Sequence, residues 1–88
     1  MSILINELEC QQDYLYWQKI MPNSTVRYYS ARITRDLFDM IVFCTWGTIG
    51  SKRGGTKTHP VETLQEAREL MGGIIKRRGK RGYHLKNQ

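Results

Sequence analysis

Only two prolines, two cysteines and two histidines occur among the 88 residues, and each scarcity closes off a class of protein. Few prolines and 40% hydrophobic residues argue against a disordered chain. Cys10 and Cys44 lie far apart, and with His59 and His84 they form no metal-ligand spacing, so neither a metal nor another cofactor is expected. No apolar run approaches the ~18 residues of a membrane span, so no membrane partner is expected. Residues 1–12 carry Glu7 and Glu9 and no sustained apolar stretch, which disfavours a secretory signal. The chain is therefore expected to be cytoplasmic, with both thiols reduced. A chain of 88 residues is too short for two separate cores, so residues 1–88 are read as one domain.

Acids are also scarce, and unevenly so. Residues 1–25 hold Glu7, Glu9 and Asp13 against Lys19, whereas residues 26–88 hold thirteen Lys/Arg against five acids. From Lys76 to Gln88 there are six cations and no acid. Such asymmetry points to a polyanionic partner.

Enzymatic signatures are missing. Gly50 and Gly55 have a P-loop gap, but Thr56-Lys57 reverses the required order and a strand follows, so no nucleotide or other small-molecule substrate is expected. Cys44 lies in an apolar strand that would raise its pKa, the wrong direction for a nucleophile. Asp36 and Asp39 read as turn residues, not as an acid–base pair. The chain is read as non-catalytic.

What is present is the pattern of a small α+β protein. Leu15 to Ile20 is a first strand, closed by the turn Met21-Pro22-Asn23-Ser24. Val26 to Arg35 alternates Tyr29, Ala31 and Ile33 with Tyr28, Ser30, Arg32 and Thr34, as a half-buried strand does. Asp36-Leu37-Phe38-Asp39 is a turn whose two apolar residues are expected to tuck inward. Met40 to Trp46 is near-continuously apolar, which predicts a central strand, and Thr56 to His59 is a fourth, stopped by Pro60. The meander then gives way to a helix. Thr63-Leu64-Gln65-Glu66 is a capping box, and Ala67, Leu70, Met71, Ile74 and Ile75 form one apolar face. Gly72-Gly73 implies either close helix–sheet approach or a break, Gly79 is the expected C′ residue, and Tyr83 is expected to anchor the chain's end.

The most informative stretch is Cys44-Thr45-Trp46-Gly47-Thr48-Ile49-Gly50, followed by Ser51-Lys52-Arg53-Gly54-Gly55-Thr56-Lys57. An apolar strand delivers an indole to its end, and a glycine-rich turn places three cations beside it. Trp is as readily a core plug as a contact residue. Exposed, it would offer a stacking platform beside phosphate-binding charge.

These residues together resemble the WGR domain. The matching features are Tyr28-Tyr29, Asp36-Leu37-Phe38, the W-G-x-I-G motif at Trp46 to Gly50, the basic turn, the T-x-x-E-A helix start and the basic helix end closed by Gly82-Tyr83. The resemblance covers residues 15–85 and leaves 1–12 as an N-terminal extension. It implies an antiparallel meander of four to five strands with one helix packed on it. WGR domains occur in poly(ADP-ribose) polymerases and in short bacterial proteins, and the implied role is nucleic-acid binding. In the polymerases the motif's tryptophan packs on a nucleotide sugar at a DNA end and its arginine contacts the nucleic acid. Trp46 matches the first of these positions, and Thr48 occupies the second.

The expected site is a basic face with Trp46 near its centre and Thr48 beside it. Lys52, Arg53 and Lys57 come from the turn; Lys76, Arg77, Arg78, Lys80 and Arg81 come from the helix end. Arg27, Arg32 and Arg35 are left out, because strand alternation scatters them over both faces. No recognition helix or zinc finger is present, so binding should tolerate sequence, with DNA ahead of RNA. The rival reading is a protein-interaction module with Trp46 and Tyr28 or Tyr29 as an aromatic anchor.

Overall fold

A computed structural model describes residues 12–87. Most of the proposed N-terminal extension, including Cys10, lies outside the described residues. The elements in chain order are β1 (Tyr14–Ile20), β2 (Val26–Arg35), β3 (Met40–Thr48), β4 (Gly54–Val61), α1 (Leu64–Lys80) and β5 (His84–Leu85). The strands form one antiparallel sheet in the order β4-β3-β2-β1-β5, with α1 packed on it, so the fold is α+β. Because β4 and β5 are opposite edges, α1 must carry the chain across one face of the sheet.

That face supplies the core. Leu15, Trp17, Ala31, Val42, Cys44 and Val61 project from four strands onto Ala67, Met71 and Ile74 of α1. The helical periodicity and the strand alternation therefore meet as predicted. Cys44 is fully buried, and burial pushes its thiol above the ordinary range.

The helix starts at the expected box. The Glu66 N–H donates to the Thr63 hydroxyl at 3.0 Å, and the Glu66 carboxylate accepts from the Glu62 N–H at 2.7 Å. Gly72-Gly73 does not break α1. At Gly73 a Cβ would meet only the flexible Arg77 Nη1, at 3.6 Å, so close approach to the sheet is not what that glycine serves.

Four expectations need correction. Met40 to Trp46 is interior but not central; β2 occupies the middle of the sheet. Pro60 does not stop β4, which runs on to Val61. An edge strand tolerates proline because one side of it has no ladder to feed. The C′ residue is Gly82, at φ +86°, and not Gly79. Gly82 N–H donates to the Gly79 carbonyl at 3.1 Å and Tyr83 N–H to the Arg78 carbonyl at 3.0 Å, the two bonds of a Schellman motif.

The fourth correction concerns Leu37 and Phe38, which do not tuck inward but are 90% and 87% exposed. The Asp36 carboxylate accepts from the Asp39 N–H at 2.8 Å and the Phe38 N–H at 3.0 Å, and so fixes the turn with both side chains outward. The same bonds, Asp39's first, hold the Asp36 carboxyl below its ordinary range.

Candidate nucleic-acid interface

Register builds the site. Trp17, Tyr29, Trp46 and Gly55 are successive cross-strand partners, so they form one row on the helix-side face. Burial weakens along the row. Trp17 is 1% exposed, under the helix and beside β5, whereas Tyr29 and Trp46 are only half-buried. Their rings are stacked, with centroids 5.9 Å apart and planes at 11°. Gly55 leaves the indole room to lie across β4: a Cβ there would stand 2.7 Å from indole Cζ2.

The helix end closes over this platform. The Arg78 guanidinium sits 4.4 Å from the Tyr29 ring centroid and 5.2 Å from that of Tyr83. Such a stack holds the charge in place, with the Arg78 Nε buried. Lys19 Nζ donates to the Arg81 carbonyl at 2.6 Å, which ties the last turn of α1 to β1. The result is a cleft of about 380 Å³ lined by Tyr29, Trp46, Lys57, His59, Arg77, Arg78, Arg81 and Tyr83. Around Trp46 it adjoins a second hollow lined by Arg27, Thr48, Arg53 and Gly54. Neither lining contains an acid.

Topology explains that absence. The acids among the described residues are Asp13 before β1, Asp36 and Asp39 between β2 and β3, and Glu62, Glu66 and Glu69 around the start of α1. All lie at the end of the sheet where β1 begins and β4 finishes. Arg27, Arg53 and the α1 terminus lie at the other end. Among the described residues the one ion pair, Arg68–Asp13 at 3.9 Å, is also at the acidic end. No acid among the described residues thus neutralises the cations of the cleft.

Five predicted residues meet in the cleft: Trp46, Lys57, Arg77, Arg78 and Arg81. Thr48 and Arg53 line the adjoining hollow. Lys52 does not join them; it borders a hollow on the outer face of the sheet. Lys76 and Lys80 are exposed on α1 and line none of these hollows. Arg27, His59 and Tyr83 lie outside the expected site, and Tyr29 is expected only as an anchor in the protein-interaction reading. Arg27 could have been found, because it shares strand parity with Tyr29 and stands in register opposite Thr48.

Titration distinguishes these groups. Burial, with the neighbouring Cys44 thiol adding to it, pushes the Tyr29 phenol up to about 12, so it faces a ligand as a neutral ring. Burial lowers the His59 pKa below its ordinary 6.5, and Lys57 and Arg77 add to the effect. A lowered folded pKa means that stability present above pH 6.5 is lost as pH falls through the folded value. A polyanion in the cleft would offset the repulsion from Lys57 and Arg77, the smaller causes, and so move the His59 pKa back toward its ordinary value. Affinity for an oligonucleotide without terminal phosphates should therefore rise as the pH falls from 7.5 to 5.5, and His59→Gln should flatten the profile. Fluorescence anisotropy titrations across that range check it.

The fold and cleft define a class: a small α+β module with one helix across an antiparallel meander and a Trp-Gly motif at the end of its third strand. The model of the WGR domain matches residues 12–88, and the chain belongs to that family. No curated protein and no solved structure matches it. Among the described residues no helix is long and apolar enough to cross a membrane. Among them, too, no group of three or more His, Cys, Asp or Glu could hold a metal ion.

Proposed function

We propose that this chain is a non-catalytic, sequence-tolerant nucleic-acid-binding module, with DNA as its leading ligand. Membership in the WGR family is consistent with nucleic-acid binding at that coarse level. One observation carries the finer reading: the half-exposed Trp46, stacked on Tyr29, shares a cleft with Lys57, Arg77, Arg78 and Arg81, and no acid among the described residues lines it. A sugar or base packs on the Trp46 indole while the cations take phosphates, and stacking of this kind contributes about 1–3 kcal/mol per base. Thr48, at the family's arginine position, supplies a hydroxyl but no charge. Arg27 and Arg53 line the same hollow as Thr48 and restore the charge from neighbouring backbone. To the inner cleft Lys52, Lys76 and Lys80 contribute longer-range attraction only.

With roughly five phosphates neutralised, log K against log[salt] should fall with a slope near −5 on duplex DNA. Anisotropy titrations of labelled duplexes at several salt concentrations measure that slope. Absent binding, or affinity unmoved by salt, overturns the reading.

The rival protein-interaction reading draws on a different observation, the exposed Leu37 and Phe38 on a fixed turn at the acidic end. These two side chains add apolar anchors to the pairing of Trp46 with Tyr28 or Tyr29.

A further inference from the structure

The face of the sheet away from α1 carries its own aromatic platform. Tyr28 is in register with Gly47, and Gly47 with Gly54, so this row has no side chain between Tyr28 and the β4 edge. A Cβ at Gly47 would stand 3.0 Å from the Tyr28 hydroxyl and 3.1 Å from its ring, so Tyr28 lies against bare backbone. Tyr16 is stacked beside it, centroids 6.4 Å apart and planes at 21°. A hollow of about 390 Å³ beside Tyr28 is bordered by Thr45, Ser51, Lys52, Arg53 and Thr56. It contains aromatic surface, hydroxyls and cations, and again no acid.

The two platforms are joined. Trp46, Arg53 and Gly54 border both the outer hollow and the hollow that adjoins the Trp46 cleft. Between the platforms stands one layer of backbone, made thin by Gly47, Gly54 and Gly55. A basic path therefore runs from the helix-side cleft round the β4 edge to Tyr28. Duplex DNA, with a persistence length of about 50 nm, cannot follow so tight a turn. A single strand can, and its bases stack on any exposed ring.

We infer that the outer face is a second nucleotide site, taken by a single-stranded extension of the nucleic acid held in the Trp46 cleft. This rests on the function proposed above. Tyr28 stacks the base, Lys52 and Arg53 hold the backbone phosphate at the corner, and the Thr45, Ser51 and Thr56 hydroxyls supply further hydrogen-bonding groups. The ligand class is thus an overhang or gapped strand in preference to a continuous blunt duplex.

The test compares labelled blunt duplexes with the same duplexes bearing a short single-stranded overhang, as DNA and as RNA extensions. The overhang should tighten binding roughly 10-fold or more, the range that stacking of one base supplies. Tyr28→Leu should remove that gain while leaving blunt-duplex affinity unchanged, and Tyr28→Phe should keep it. Lys52→Glu, at an exposed side chain outside the inner cleft, should also reduce the gain and involves no packed residue. Equal affinity for blunt and overhung duplexes, or a Tyr28→Leu loss shared equally by both, overturns the second site. If blunt duplex still binds with the expected salt slope, only this inference falls; if nothing binds, the proposed function falls with it.

Discussion

Arg77→Glu combined with Arg81→Glu should weaken duplex binding about 100-fold or more and lower the salt slope by about 2. Both side chains line the cleft and both are exposed, so their guanidinium groups meet solvent in the free protein and phosphate in the complex. Hydrogen bonds to charged groups contribute about 1.5–3 kcal/mol each, and reversal adds repulsion to their loss. Arg78 is the poorer choice, although it lies between them. Its guanidinium is stacked on Tyr29 and Tyr83, so removing it would disturb packing as well as charge. Circular dichroism melts separate the two effects. The Arg77/Arg81 variant should lose only the about 0.3–1 kcal/mol per site that last-turn cations contribute through the helix dipole.

Trp17→Ala should have the largest effect on stability, a loss of about 3–5 kcal/mol. A domain of this length has roughly 4–13 kcal/mol in total, so the variant should be marginal or unfolded at 25 °C by urea denaturation. Trp17 is fully buried, with Tyr29 edge-on to it and β5 alongside, so its truncation leaves a cavity in the core. Trp46→Ala should behave oppositely. Half-exposed at the open end of the same row, it should lose far less stability and chiefly weaken binding, about 10-fold or more. A chain in which Trp46→Ala unfolds and Trp17→Ala does not would have its two indoles in exchanged roles.

That contrast marks the limit of what the residues alone disclose. Strand alternation, the capping box and the apolar helical face are local rules, and they placed β2, the start of α1 and its buried residues correctly. The row Trp17, Tyr29, Trp46, Gly55 depends on register across four strands, which no local rule supplies. Periodicity also could not say which indole the helix would cover, since that follows from the diagonal path of α1 between opposite sheet edges. Lys52 and Lys57 read as one basic turn, yet they border opposite faces because β4 begins between them. Arg27 shares parity with Tyr29 and Arg32 does not, while Arg35 has the same parity but stands at the far end of β2. Apolarity alone would turn Leu37 and Phe38 inward; the Asp36 hydrogen bonds that fix the turn hold them outward instead.

The most direct test is the two indole N–H resonances in a ¹H–¹⁵N correlation spectrum, assigned with Trp46→Phe. On titration with duplex DNA the Trp46 indole and the amides of Gly55, Lys57 and Arg77 to Tyr83 should shift, while the Trp17 indole and the amides of Asp36 to Asp39 stay in place. Binding that leaves the Trp46 indole unmoved, or that moves only the Asp36 to Asp39 turn and the start of α1, would contradict it.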